Sequence, residues 1–112
     1  MTKRLGSLEQ LLMFATARLG ERAHGLALRE ALEVAGRTAS PGAIYTTMDR
    51  LEQAGLVSSW IGDDRPLGGG RRRKYYRIEP AGARALIDSY RSIETLADGV
   101  LPSLSRIAAG QD

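Results

Sequence analysis

The sequence predicts a mainly α-helical chain with a small β-hairpin, arranged as a winged helix-turn-helix followed by a C-terminal dimerisation helix. Three observations carry that reading. Residues 40–55 form a short helix whose two ends are both marked; two runs rich in β-branched and aromatic residues flank a Gly-rich tip; residues 80–112 carry an apolar seam after the core is already supplied. The winged helix-turn-helix is assigned to residues 1–79 and the dimerisation helix to residues 80–112.

The first helix should start at Ser7, since Ser7 and Gln10 have capping-box spacing and Leu8, Leu11, Leu12, Ala15 and Leu19 follow on one stripe. Gly20 ends it. A second helix runs from about His24 to Ala35, burying Leu28, Ala31, Leu32 and Ala35, with Gly36 as its stop. Only residues 36–39 separate it from the next helix, which fits a helix-turn-helix. In that third helix Ser40 supplies the cap oxygen, Pro41 sits where a missing N–H costs nothing, and Gly55 can take the left-handed stop conformation. Ile44, Tyr45, Met48, Leu51 and Leu56 are expected on its buried stripe, and Gly42, Ala43, Thr46, Thr47 and Arg50 on its outward face. That outward face is small and polar, as a helix entering a DNA groove needs.

After Gly55 the period changes. Residues 56–61 and 74–78 read as the strands of a hairpin, joined by a tip that concentrates Gly62, Asp63, Asp64, Pro66, Gly68, Gly69 and Gly70. Glu79 and Pro80 then read as N-cap and first turn of a last helix reaching at least Asp98. Its seam is Leu86, Tyr90, Ile93, Ala97, Val100, Leu104 and Ile107, in steps of four and three, which asks for a partner helix. Gly99 and Pro102 interrupt it, and a kink or break is expected near Pro102.

Composition removes several function classes. The chain has 112 residues, 43% apolar and 26% charged with a net charge of +3, enough for one core and too balanced for disorder. Without cysteine there are no disulfides and no thiolate metal sites, and a single histidine cannot make a histidine cluster within one chain. No cofactor is expected. No apolar run approaches a membrane span and the start lacks a signal-peptide core, so the expected location is cytoplasmic, with no membrane partner. His24 reads as a capping or core histidine, Trp60 as wing packing, and the carboxylates are scattered, so an enzyme reading has no residues to stand on. Charge concentrates on the wing: residues 61–79 hold Arg65, Arg71, Arg72, Arg73, Lys74 and Arg77 against Asp63, Asp64 and Glu79. Such a block suggests a local polyanion contact, or else a solvated charge run. In a strand its members alternate, with Arg71 and Arg73 as one set and Arg72 and Lys74 as the other. The three glycines before it do not make a phosphate loop, because no Lys-Ser/Thr pair and helix follow.

Residues 42–57 (with Gly42, Tyr45, Arg50, Leu51, Gly55 and Leu56), residues 70–78 (with Gly70, Tyr75, Tyr76, Arg77 and Ile78), Pro80 with Gly82, the His24-Gly25 pair and Leu8 to Leu12 together resemble the PadR family of transcriptional regulators. The resemblance spans most of residues 5–90. It departs at Leu26, where the family often has Tyr, and at Glu79, where it often has Thr. The short C-terminal part resembles the compact subgroup with a single dimerisation helix. The resemblance implies a homodimer built mainly through the last helix with help from the first, and usually repression of transcription relieved by a small-molecule effector or a stress signal. Carried over position by position, it implies Ser40, Gly42, Ala43, Thr46 and Thr47 at or near the bases of double-stranded DNA, with Tyr45 and Arg50 near phosphates. For Tyr45 a core aromatic with its hydroxyl at the rim remains the other reading, and for Arg50 a surface pair with Asp49 or Glu52. The expected function is a homodimeric repressor on an inverted-repeat operator; the alternative is a winged-helix module that binds an acidic protein partner without specific DNA binding.

Overall fold

The computed structural model describes residues 4–63, 69–70 and 72–111. Helix α1 spans Ser7–Leu19, but its cap lies one residue earlier than expected. Gly6 is the extended N-cap and the Glu9 carboxylate accepts from its amide at 2.8 Å. Gln10, expected to close the box with Ser7, instead accepts from Ser89 Oγ at 3.1 Å. A carboxylate beside the positive helix end outcompetes a neutral amide, which frees Gln10 for a long-range contact. Leu12, Met13, Ala15 and Thr16 are buried, the Thr16 hydroxyl satisfied by donating to Leu12 O at 2.7 Å.

A 3-10 turn, Gly20–Arg22, leads to α2, Gly25–Val34. His24 is its N-cap, Nδ1 accepting from Ala27 N–H at 3.3 Å. Leu28 and Leu32 are buried, whereas Ala35, expected on the buried side, is exposed because the helix has already ended at Val34. Helix α3 spans Pro41–Gln53, with Ser40 Oγ accepting from Ala43 N–H at 3.1 Å. Its end is set by Gly55 at φ 77°, which lets Leu56 N–H reach back to Leu51 O at 2.9 Å.

Strands β1, Val57–Ile61, and β2, Lys74–Ile78, pair antiparallel with Trp60 opposite Tyr75 and Ser59 opposite Tyr76. The outer edge of β2 is occupied by Ala23 and His24, Tyr76 N–H donating to Ala23 O at 2.9 Å. Tyr76 joins Leu12, Met13, Leu28, Leu32, Ile44, Met48 and Leu51 in a core gathered between α1, α2, α3 and the hairpin.

Helix α4, Pro80–Ala97, starts on the carbonyl of Leu56, which accepts from Glu79 N–H at 3.0 Å. Glu79 has N-cap geometry, but its carboxylate accepts from Ser58 Oγ at 3.0 Å rather than from the helix amides. Gly82 faces the same Leu56 oxygen so closely that a Cβ there would collide with it. Ala85 and Leu86 complete the core. Leu86 is thus internal to the domain, not part of an outward seam.

The last segment, expected to kink or break near Pro102, forms two separate helices. Gly99 at φ 73° breaks the chain after α4, and α5 spans Leu101–Ala108 with Pro102 in its first turn, where its missing N–H is harmless. The break therefore sits three residues before Pro102, at the glycine. No residue of α5 is buried. The radius of gyration is 16.6 Å, against about 13 Å for a compact chain of this length, because the C-terminal helices project. Among the described residues no helix is long and apolar enough to cross a membrane.

Candidate nucleic-acid interface

Helix α3 advances about 100° per residue, and that period decides its faces. Thr47 lies between Ile44 and Leu51 on the buried stripe and is 6% exposed. Tyr45 lies a full 100° from Ile44 and is 46% exposed. The two places expected from polarity are therefore exchanged: Thr47 turns inward and Tyr45 outward. Gly42, Tyr45, Thr46, Asp49, Arg50 and Gln53 make one continuous outward stripe, with Ala43 half-buried at its edge. Ser40 is exposed, its oxygen engaged in capping while its hydroxyl proton stays available to an acceptor.

The phenol of Tyr45 lies against the start of α2. A Cβ on Gly25 would stand 2.9 Å from the Tyr45 hydroxyl oxygen and 3.2 Å from Cζ. The His24-Gly25 pair and Tyr45 are thus one structural unit: His24 caps α2 and Gly25 leaves room for the ring. Arg50 makes no ion pair among the described residues, since the neighbouring carboxylates are turned elsewhere.

Those carboxylates hold the wing. Lys74 Nζ lies 3.8 Å from Asp49 and 3.6 Å from Glu52, above the Tyr76 ring, and Glu52 also accepts from Ser59 Oγ at 2.6 Å. Glu52 so ties both strands to α3, a role that sequence reasoning missed; the only local signal is its spacing of three from Asp49. Lys74, expected on DNA, is paired with two carboxylates of α3. Burial next to them pushes the Tyr76 phenol up to about 12, with desolvation as the larger cause and the charges of Asp49, Tyr45 and Glu52 following. Its hydroxyl has no hydrogen-bond partner among the described residues.

The remaining cations follow strand alternation. Arg73 points away from α3, Nη1 lying 3.3 Å from His24 Nε2. A neutral imidazole has one acceptor nitrogen, so His24 can accept from Ala27 N–H or from Arg73 but not from both. Arg77 stacks over Trp60 at 5.2 Å, Trp60 stacks on Tyr75 at 5.5 Å, and Tyr75 meets the His24 ring edge-on at 5.5 Å. Trp60 is accordingly a packing residue of the wing. Arg72 lies 3.9 Å from Asp63 with both side chains largely exposed, a pair too weakly held to withhold the guanidinium from another anion. Arg71 lies outside the described residues. No group of three His, Asp or Glu side chains among the described residues could hold a metal.

A second surface is apolar. Tyr90, Ile93, Ala97 and Val100 of the expected seam are exposed on α4 and its end, while Leu104 and Ile107 are exposed on the separate α5. Ile87, Leu96 and Leu101 add to this surface, and Phe14 of α1 packs edge-on against Tyr90 at 5.6 Å.

Comparison with known proteins identifies the family. The family described as the transcriptional regulator PadR-like family matches residues 14–88. Transcriptional regulator Rv3488 of Mycobacterium tuberculosis is 40% identical over 85 residues, which is 76% of either chain. The crystal structure of a PadR family transcriptional regulator from Eggerthella lenta is similar with a TM-score of 0.66 and 34% identity, covering 87% of this chain and 85% of that one. A PadR-like transcriptional regulator from Bacillus cereus shares the fold, with a TM-score of 0.69 at 24% identity over 87% of this chain and 90% of that one.

Proposed function

The chain belongs to the PadR-like family of transcriptional regulators, and we propose from that premise that it is a homodimeric repressor that binds an inverted-repeat operator and blocks promoter access. The observation that carries the reading is the outward stripe of α3. It is polar, slender and capped at the end that would enter the major groove, while its opposite side is locked in the core. Gly42, Ala43 and Thr46 are assigned to base edges, Thr46 through its hydroxyl and methyl. Ser40 is assigned near the bases beside the cap, Tyr45 and Arg50 to phosphates at the groove margin, and Arg72, with Arg71, to the phosphates beneath the wing. Thr47 and Lys74 position the helix and the wing. Since this face has few long donors, much of the discrimination comes from the spacing of two half-sites and from DNA shape.

Two copies joined through the exposed face of α4 would place their α3 helices roughly 34 Å apart, one turn of DNA. A small-molecule effector would enter between the copies, near Tyr90 and Ile93. Selection of bound fragments from a random DNA pool tests the function directly. Enrichment of a pseudo-palindrome whose binding weakens steeply with salt is the expected result; a pool without enrichment, or binding indifferent to salt, contradicts it.

A further inference from the structure

A groove of about 1120 Å³ lies between the end of α1, the 3-10 turn, α2 and the outer face of the hairpin. No residue of α3, α4 or α5 lines it, so it is separate from the DNA-reading stripe and from the apolar face of α4. Three guanidinium groups border it. Arg73 and Arg77 stand on the outer face of the hairpin on either side of Tyr75, and Arg22 comes from the 3-10 turn. Glu21 and Glu30 border the same groove, yet neither Arg22 nor Arg77 makes an ion pair among the described residues. We propose that this groove binds a nucleotide, with its phosphates on the three arginines, its base against the Trp60 and Tyr75 wall, and its ribose hydroxyls or base amine donating to Glu21 and Glu30. The inference stands apart from the dimer and operator readings.

Two of the cations are already placed for an oxyanion. The Arg77 guanidinium lies over the Trp60 ring at 5.2 Å, a contact that holds the group while leaving its N–H donors to a phosphate. Arg73 Nη1 lies 3.3 Å from His24 Nε2. In the tautomer that caps α2 through Nδ1, that Nε2 carries the ring proton, so donor meets donor. An anionic oxygen seated between them would accept from both. Three guanidinium charges match a diphosphate better than a single carboxylate. The two glutamates then select the rest of the ligand. A duplex backbone, anionic along its whole length, would meet Glu21 and Glu30 as well as the arginines, whereas a nucleoside turns neutral donors toward them. Ala17, Ala27 and Ala31 keep the floor apolar and low, which suits a flat ring. The site also adjoins the reading helix without covering it, because His24 caps α2 and Gly25 receives the Tyr45 ring of α3.

Trp60 is the only tryptophan of the chain, so its fluorescence, excited at the red edge where nucleotides do not absorb, reports on this groove. The full chain is titrated with ADP, GDP and UDP, and with pyrophosphate and adenosine as the separate parts, calorimetry giving the stoichiometry. At least one nucleotide should saturate at one per chain and bind about tenfold or more tighter than either part. Arg22→Ala and Arg73→Ala should each weaken that binding about tenfold or more, with circular dichroism confirming the fold. Arg106→Ala, on α5 and outside the groove, should leave it unchanged. No saturable binding of any of the three nucleotides overturns the proposal. Pyrophosphate binding as tightly as the nucleotides overturns the nucleoside as part of the occupant. Binding that survives both arginine variants overturns the groove as its place, and an equal loss in Arg106→Ala reduces it to general charge attraction and overturns it too.

Discussion

Gly82→Ala probes how the C-terminal helices are seated on the DNA-binding unit. On an isolated helix the change is favourable by about 1 kcal/mol, because alanine is the better helix former. Here the new methyl would fall on the carbonyl oxygen of Leu56, within 2.9 Å of its carbon and 3.0 Å of Met13 Cε. That carbonyl is backbone held from both sides: Leu56 N–H reaches Leu51 O, and Val57 opens β1. It cannot swing away as a side chain could, so α4 must lift by more than an ångström. Lifting strains the packing of Ala85 and Leu86, at about 1–3 kcal/mol for overpacking, and stretches the Glu79 N–H to Leu56 O bond, worth about 1–3 kcal/mol when a buried group is left unpaired. After the helix-propensity gain the net loss is about 1–5 kcal/mol, centred near 3 kcal/mol. Urea denaturation followed by circular dichroism at one fixed protein concentration should show that loss, with a fall in Tm of roughly 10 °C or more. A variant as stable as the parent, or more so, would refute the seating of α4 on Leu56.

Three further outcomes follow from the site. Lys74→Ala should weaken operator binding without changing the slope of log affinity against log salt, whereas Arg72→Ala should reduce that slope by about one phosphate contact; a reduced slope for Lys74→Ala would show that it reaches DNA after all. Thr46→Ala should relax discrimination at one base pair in each half-site by about 1–3 kcal/mol, while Thr47→Val, in the core stripe, should leave base preference unchanged in competition titrations. For the Tyr76 phenol, with a folded value of about 12 above the ordinary 10, the native state holds its proton more tightly than the unfolded chain. Its contribution to stability is therefore complete below pH 10 and is lost as pH rises toward about 12. Urea midpoints measured across that window should fall more for the parent than for Tyr76→Phe, which removes an unpartnered hydroxyl; parallel curves would contradict the assignment.

What was legible in the chain is what local chemistry specifies. Ser40, Pro41 and Gly55 mark α3 through caps and a left-handed stop that need no distant partner, and both strands are named by their β-branched and aromatic residues. The exchange of Thr47 and Tyr45 shows where polarity misleads. A threonine can be buried at small cost, and a tyrosine can lie on the surface when a glycine such as Gly25 receives its ring. Lys74 was readable as a cation on the wing, but not as the partner of Asp49 and Glu52, because that pairing depends on how the hairpin closes over α3. Gly6 and Glu79 illustrate competition among polar partners, which resolves only when Ser89 and Ser58 are in place. The seam from Leu86 to Ile107 had the right spacing throughout, yet one positive φ at Gly99 divided it between two helices and the core took its first member.

The central claim is that two α3 helices, fixed by one dimer, read two half-sites together. It is tested most directly by titrating the protein against the selected operator and against the same operator lengthened by about 5 base pairs at its centre, half a turn of DNA. A rigid dimer then has its second half-site on the far side of the duplex, and affinity should fall to that of an operator with a single half-site. Equal affinity for the two would contradict the account.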